Sequence, residues 1–133
     1  MNPTLNVIDI IVSDLQAAID FYARLGVEFK VDEAYPDHAG CDLPNGVHLM
    51  LDTERFRGGT LRGGWHRPTG DPRTYLAFEC ADPAAVDAKY AELTEAGYTG
   101  AQEPWDAFWG MRYAVVLDPD GNGVDLYCPL PAG

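Results

Sequence analysis

The sequence predicts an α+β fold in which two βαβββ modules form a curved mixed sheet with a cup. Three observations carry this. The stretch NGVHLM at 45–50 returns as NGVDLY at 122–127. The segment SDLQAAIDFYARLG at 13–26 aligns with ADPAAVDAKYAELTEAG at 81–97, placing Asp14 on Asp82, Tyr22 on Tyr90 and Leu25 on Leu93. Between the copies, residues 55–73 are rich in glycine, arginine and proline and read as a linker between modules 4–54 and 74–129. A sheet with one open face is stabilised when a second copy extends or covers it.

Each element follows from local chemistry. Leu15, Ala18, Ile19, Tyr22 and Leu25 recur at helical spacing, as do Val86, Tyr90 and Leu93. Ser13 or Asp14 caps the first helix, and Asp82 followed by Pro83 starts the second. Gly26 and Gly97 supply the left-handed residue that ends each. Strands are predicted at 5–12, 27–31, weakly near 38–43, and at 46–51 in the first module. The second repeats them at 74–80, 97–102, 111–117 and 123–128. DPDGN at 118–122 has the composition of a tight turn.

A chain of 133 residues is long enough for one domain with a real core. It has no apolar run of about eighteen residues and no basic-then-apolar leader, so a soluble cytoplasmic protein without membrane partners is expected. The net charge of −12 argues against nucleic acid, whose phosphates require a basic face. The charge is uneven: residues 55–73 hold five of the nine basic residues and one acid, leaving the remainder at −16. That body favours cationic ligands. Cys41, Cys80 and Cys128 have no CxxC spacing and read as small buried apolar residues.

Side chains alternate across a strand. Ile8, Ile10 and Val12 turn toward the first helix, so Val7, Asp9 and Ile11 face away. Leu76, Phe78 and Cys80 do the same for the second helix, leaving Tyr75, Ala77 and Glu79 opposite. By this parity His48 and Met50, and Asp125 and Tyr127, also face away from the helices, into the expected cup. EPWDAFWGMRY places Trp105, Phe108, Trp109 and Tyr113 within nine residues. Trp105 and Phe108 are expected in a loop, and Trp65 in the linker. His38 and His66 are expected in loops, with no spacing that ties them to a site.

The paired modules, VSDLQAAIDFYARLG, and above all WGMRYAVVLDPDGNGVDLY at 109–127 resemble the vicinal oxygen chelate superfamily. This group includes glyoxalase I, extradiol dioxygenases and bleomycin-resistance proteins. The resemblance implies a glyoxalase/bleomycin-resistance-like fold with four potential metal-ligand positions, filled here by Val7, His48, Tyr75 and Asp125. Histidine is usual at both first-strand positions of the metal enzymes and absent from both here. One imidazole and one carboxylate fall short of a catalytic zinc or non-haem iron site. The resemblance is therefore closest to the metal-free, drug-binding branch, which implies no cofactor, a homodimer and a small-molecule ligand.

The expected function is sequestration of an aromatic, possibly cationic compound such as an antibiotic. His48, Asp125, Tyr75, Asp9, Met50, Trp65, Trp105, Phe108, Trp109 and Tyr127 are the candidate ligand-binding residues. The alternative is a lyase, isomerase or dioxygenase of the same superfamily using His48 and Asp125, with or without a divalent metal.

Overall fold

The computed structural model describes residues 1–132. The chain divides into two compact units, the first spanning 1–69 and the second beginning at Gly70. In the first, β1 (Val7–Val12) leads into α1 (Leu15–Ala23), then β2 (Lys30–Val31), β3 (His38–Asp42), β4 (His48–Thr53) and α2 (Glu54–Thr60). The second runs β5 (Tyr75–Glu79), α3 (Pro83–Glu95), β6 (Thr99–Asp106), β7 (Met111–Leu117) and β8 (Gly123–Pro129). The sheet orders are β1-β4-β3-β2 and β5-β8-β7-β6, so each closing strand inserts beside the first. The pairing of first and closing strand is parallel and the others antiparallel.

Capping explains where the helices begin. Asp14 accepts from the Ala17 amide at 3.1 Å, and Asp82 from the Ala85 amide at 2.7 Å with proline in the first turn. Gly26 and Gly97 follow the helices at φ 83° and 99°, a backbone that side chains with a Cβ rarely adopt. On α1 the buried residues are Ala18, Phe21 and Tyr22, and on α3 Val86 and Leu93. Val12, Leu49 and Leu51 line the core of the first unit. Ala114, Val116, Val124, Leu126 and Cys128 line that of the second. Arg112 grips both carboxylate oxygens of Asp87 on α3 at 2.9 and 3.0 Å and reaches Asp106 at 3.0 Å. It ties the helix to its sheet.

The DPDGN turn closes as its composition predicts. Asp118, 4% exposed, accepts from the Asp120 and Asn122 amides and from the Asn122 side chain, each at 2.9 Å. Gly121 sits at φ 84°.

Three expectations need correction. The strand expected at 27–31 is only Lys30–Val31; Val27 and Phe29 are buried without pairing. The strand expected at 97–102 continues to Asp106 with two register irregularities, so Trp105 lies on β6 opposite Tyr113 rather than in a loop. Pro104 is accommodated because β6 is an edge strand. Part of the expected linker is α2, capped by the Thr53 side chain, which accepts from the Phe56 amide at 3.1 Å. Arg55 on α2 pairs with Asp37, and Arg67 beyond it with Glu54.

Leu126→Ala removes a fully buried side chain from the second sheet. We expect a loss of about 3 kcal/mol of unfolding free energy, read from urea denaturation.

Candidate functional site

In-register neighbours in a sheet share a face, so the pairing reads out each surface. In the first unit, one face carries three rows. The first joins His38, Asp52 and Ile11; the second Lys30, Gly40, Met50 and Asp9; the third Asp42, His48 and Val7. His48 turns its Nδ1 to Asp42 at 2.7 Å, and His38 turns its Nδ1 to Asp52 at 2.6 Å. The His48 ring lies over Gly40, where a Cβ would meet its Cε1 and Nε2 at 2.9 Å. Gly40 is thus the space the imidazole uses. A cavity of about 780 Å³ opens here, lined by Lys30, His38, Gly40, Asp42 and His48 among others.

His38 corrects the reading that no spacing ties it to a site: it opens β3 and bonds Asp52. The missed signal is HAGCD at 38–42 and HLMLD at 48–52, two His-x-x-x-Asp strands. Paired antiparallel, they set each histidine opposite the other strand's aspartate.

Asp9 lies deeper than expected for a ligand contact. Neither carboxylate oxygen has a hydrogen-bond partner among the described residues, and both are buried. Arg57 approaches only to 4.0 Å. Burial, reinforced by the adjacent Asp52 carboxyl, pushes the Asp9 carboxyl up to about 7. Met50 sits between Gly40 and Asp9 on the same face. Trp65 is half-buried in the irregular stretch after α2, its backbone amide near Gly58.

In the second unit the corresponding face holds Tyr75, Asp125, Tyr127, Tyr113 and Trp105. The closing strand is shifted by two residues relative to the first unit: Val7 pairs with His48, whereas Tyr75 pairs with Gly123 and Asp125 with Ala77. Tyr75 and Asp125 are therefore not the neighbours that the repeat implied. The Tyr75 ring lies against Gly123, in space a Cβ would fill. Asp125 Oδ1 is buried without a partner. Burial raises the Asp125 carboxyl, and the Tyr113 hydroxyl beside it partly offsets this. Burial, then the hydrogen bond to Asp125 and its charge, raises the Tyr113 phenol.

A run of edge-to-face rings borders this carboxylate. Trp109 meets Phe108 at 4.9 Å, Tyr113 at 5.2 Å and Trp105 at 5.6 Å between centroids. Phe108 is 90% exposed, Trp109 47% and Trp105 37%.

The four positions singled out as potential metal ligands do not fit a metal ion. Val7 has no donor atom and Tyr75 is turned onto Gly123, which leaves only His48, through the Nε2 that Asp42 does not engage, and Asp125 as donors among the four. Among the described residues, no three His, Cys, Asp or Glu side chains gather as a cation site. No helix among them is long and apolar enough to cross a membrane.

Two βαβββ units, one presenting a polar sheet face and the other an aromatic one, define a small-molecule-binding class of α+β domain. The model of the Glyoxalase/Bleomycin resistance protein/Dioxygenase superfamily matches residues 4–126, and the chain belongs to that superfamily. An uncharacterized protein of Mycobacterium bovis is 33% identical over 131 residues, covering 91% of this chain and 80% of that protein. One from Mycobacterium tuberculosis is also 33% identical, over 91% of this chain and 72% of its own. Among solved structures, a glyoxalase/bleomycin resistance protein/dioxygenase from Nocardioides aligns with TM-score 0.78 at 24% identity, covering 100% of this chain and 87% of the other. A family enzyme from Burkholderia phytofirmans PsJN aligns with TM-score 0.80 at 22% identity, covering 96% and 100%. At these identities the structural likeness establishes the fold.

Asp9 sets a pH dependence. Its folded value lies above the ordinary 3.8, so the folded state holds a proton the unfolded chain has lost. Stability then falls as pH rises from about 4 to about 7 and levels off above. Asp9→Asn should remove this decline, raising the urea midpoint at pH 8 more than at pH 5. Equal shifts at both would show that Asp9 does not hold the proton.

Gly40→Ala should displace the His48 ring. We expect the His48 ring resonances to move in NMR spectra while those of His66, outside this sheet, stay in place.

Proposed function

We propose that the protein binds a small, flat, partly aromatic and cationic molecule, such as an antibiotic, and sequesters it without a catalytic metal, as a homodimer. The observation that carries this is the second unit's exposed ring cluster beside the Asp125 carboxylate, whose Oδ1 is buried and unpartnered. Exposed aromatic faces bind conjugated rings and attract cations. A carboxylate oxygen that has lost water and gained no donor favours a ligand that brings one. The overall charge of −12 draws cations toward the surface.

His48, Met50 and Asp9 lie on the first unit's sheet face, and Tyr75, Trp105, Phe108, Trp109, Tyr113, Asp125 and Tyr127 in the second unit. We assign the primary contact to the second set, with Trp109 at its centre because it touches three other rings. Trp65 has no contact that ties it to either set.

Titration with bleomycin, mitomycin and a quinoxaline antibiotic, followed by tryptophan fluorescence and thermal shift, tests the assignment. Quenching by one of these is expected, with Trp109→Ala and Asp125→Asn each weakening binding about tenfold, as loss of one stacking or charge contact would. No response to any of the three, or full affinity in both variants, would refute it. Sedimentation under the same conditions should give the mass of a dimer.

A further inference from the structure

Two of the three cysteines, Cys80 and Cys128, lie in the second unit, far apart in sequence and brought side by side by the strand register. We propose that they form a reversible redox modification site, at which a small disulfide oxidises both thiols to an intrachain Cys80–Cys128 link that ties the end of β5 to β8. The pair sits on the helix-facing side of its sheet, opposite the ring cluster, and does not rest on the ligand-binding reading.

The backbone places the two residues opposite each other. β5 and β8 run parallel, with Phe78 opposite Leu126 and Glu79 opposite Tyr127. The Cys80 amide carries the ladder one step further, donating to the Tyr127 carbonyl at 2.8 Å. In a parallel pair, a residue whose amide reaches one carbonyl stands opposite the residue that follows it, here Cys128. The return bond would come from residue 129, which is proline and has no N–H, so regular pairing stops at Glu79 while the alignment continues. Residues in register share a face, and Cys128 has the parity of Val124 and Leu126, which line the core. Neighbouring strands stand about 4.8 Å apart, inside the span of roughly 4.4–6.8 Å between Cα atoms that a disulfide bridges.

The surroundings divide the roles. Cys80 is partly exposed and open to an oxidant, whereas Cys128 is buried and can only resolve what forms on Cys80. The Cys128 thiol donates to the Pro129 carbonyl at 3.5 Å, a weak bond that oxidation gives up at little cost. Burial, then the Cys128 charge, raises the Cys80 thiol, with Lys89 opposing; burial, then Glu79 and Asp82, raises Cys128. Arg112, opposite Cys128 on β7, is committed to Asp87 and Asp106. Both thiols therefore stay protonated and reduced at neutral pH, and the link forms faster as pH rises. In-register strands hold Cβ atoms roughly 5 Å apart, wider than the ~3.8 Å of a relaxed disulfide. Closure draws the strand ends together, which Pro129 permits by leaving Cys80 unbonded from that side, and a link closed this way is readily reduced. Cys41, opposite Leu49 in the first unit's register, faces no second thiol.

The oxidant is a low-molecular-weight disulfide, and the exchange balances in two steps. The Cys80 thiolate attacks one sulfur of that disulfide, breaking its S–S bond and expelling one small thiolate, which takes the proton Cys80 gave up. The Cys128 thiolate then attacks the Cys80 sulfur of the mixed disulfide and expels the second small thiolate, which takes the Cys128 proton. Two protein thiols have lost two electrons, and the small disulfide has been reduced to two thiols. Excess small thiol runs the same steps backwards.

The test incubates the folded full chain with oxidised glutathione, alkylates the remaining thiols and maps tryptic peptides by mass. Peptides 74–89 and 113–133 should appear joined and two hydrogens lighter than their sum, while peptide 31–55, which carries Cys41, stays out of the link. The link should form about tenfold faster at pH 8 than at pH 7 and open again under excess reduced glutathione. Because it closes a long loop between residues 80 and 128, Tm should rise by about 10 °C on oxidation. Cys80→Ser and Cys128→Ser should each abolish both the link and the Tm rise; if the buried Cys128→Ser unfolds, Cys80→Ser at its partly exposed position decides the matter. A glutathione adduct on Cys80 that never resolves, a disulfide between chains, a link through Cys41, a link that excess reduced glutathione leaves intact, or no link unless the chain is first unfolded in urea would each overturn the proposal. None of these outcomes bears on drug binding at the ring cluster.

Discussion

The register of the closing strand governs what each unit can present. β4 and β8 are bonded on both sides, parallel to the first strand and antiparallel to the third, so their alternation dictates which residues share a face. One face must pack Leu49 and Leu51, or Val124 and Leu126, against the core. A slip of one residue would bury polar side chains and is strongly disfavoured. A slip of two keeps the faces and moves every neighbour. The second unit has taken that freedom: Asp125 stands beside Ala77, whereas His48 stands beside Val7. Duplicated sequence therefore does not yield duplicated sites.

The two faces solve different electrostatic problems. The first gathers six ionisable groups on neighbouring rows. His38 and Arg57 temper the Asp9–Asp52 carboxyl pair, while burial holds a proton on it. Such a cluster is costly where removal of one member leaves the rest unpaired. The second face carries a single buried carboxylate among phenol and indole rings, and its polarity is satisfied chiefly by Tyr113. One surface suits polar recognition, the other stacking.

Much of the fold was legible in the sequence because helix caps, alternation and the repeat all point the same way. Asp14, Asp82, Gly26 and Gly97 mark helix ends through local chemistry that tertiary packing leaves alone. What escaped depended on pairing. Residues 27–31 alternate like a strand, yet only two pair, because burial of Val27 and Phe29 takes precedence. The sequence ERFRGGT hides α2, since Gly58 and Gly59 weaken any helical signal that the Thr53 cap and its packing restore. His38 could not be placed from spacing within one strand. Only the antiparallel register makes Asp52 its partner, although the doubled His-x-x-x-Asp pattern held the clue.

The irregular edge of the second sheet has a further consequence. β6 combines a proline with two register breaks, leaving its outer backbone kinked and short of the regular donor–acceptor ladder that another strand would need. Rings exposed next to such an edge invite self-association, yet the backbone beside them offers no template for fibril growth. The molecule can therefore carry sticky side chains at its rim while staying resistant to amyloid-like stacking there.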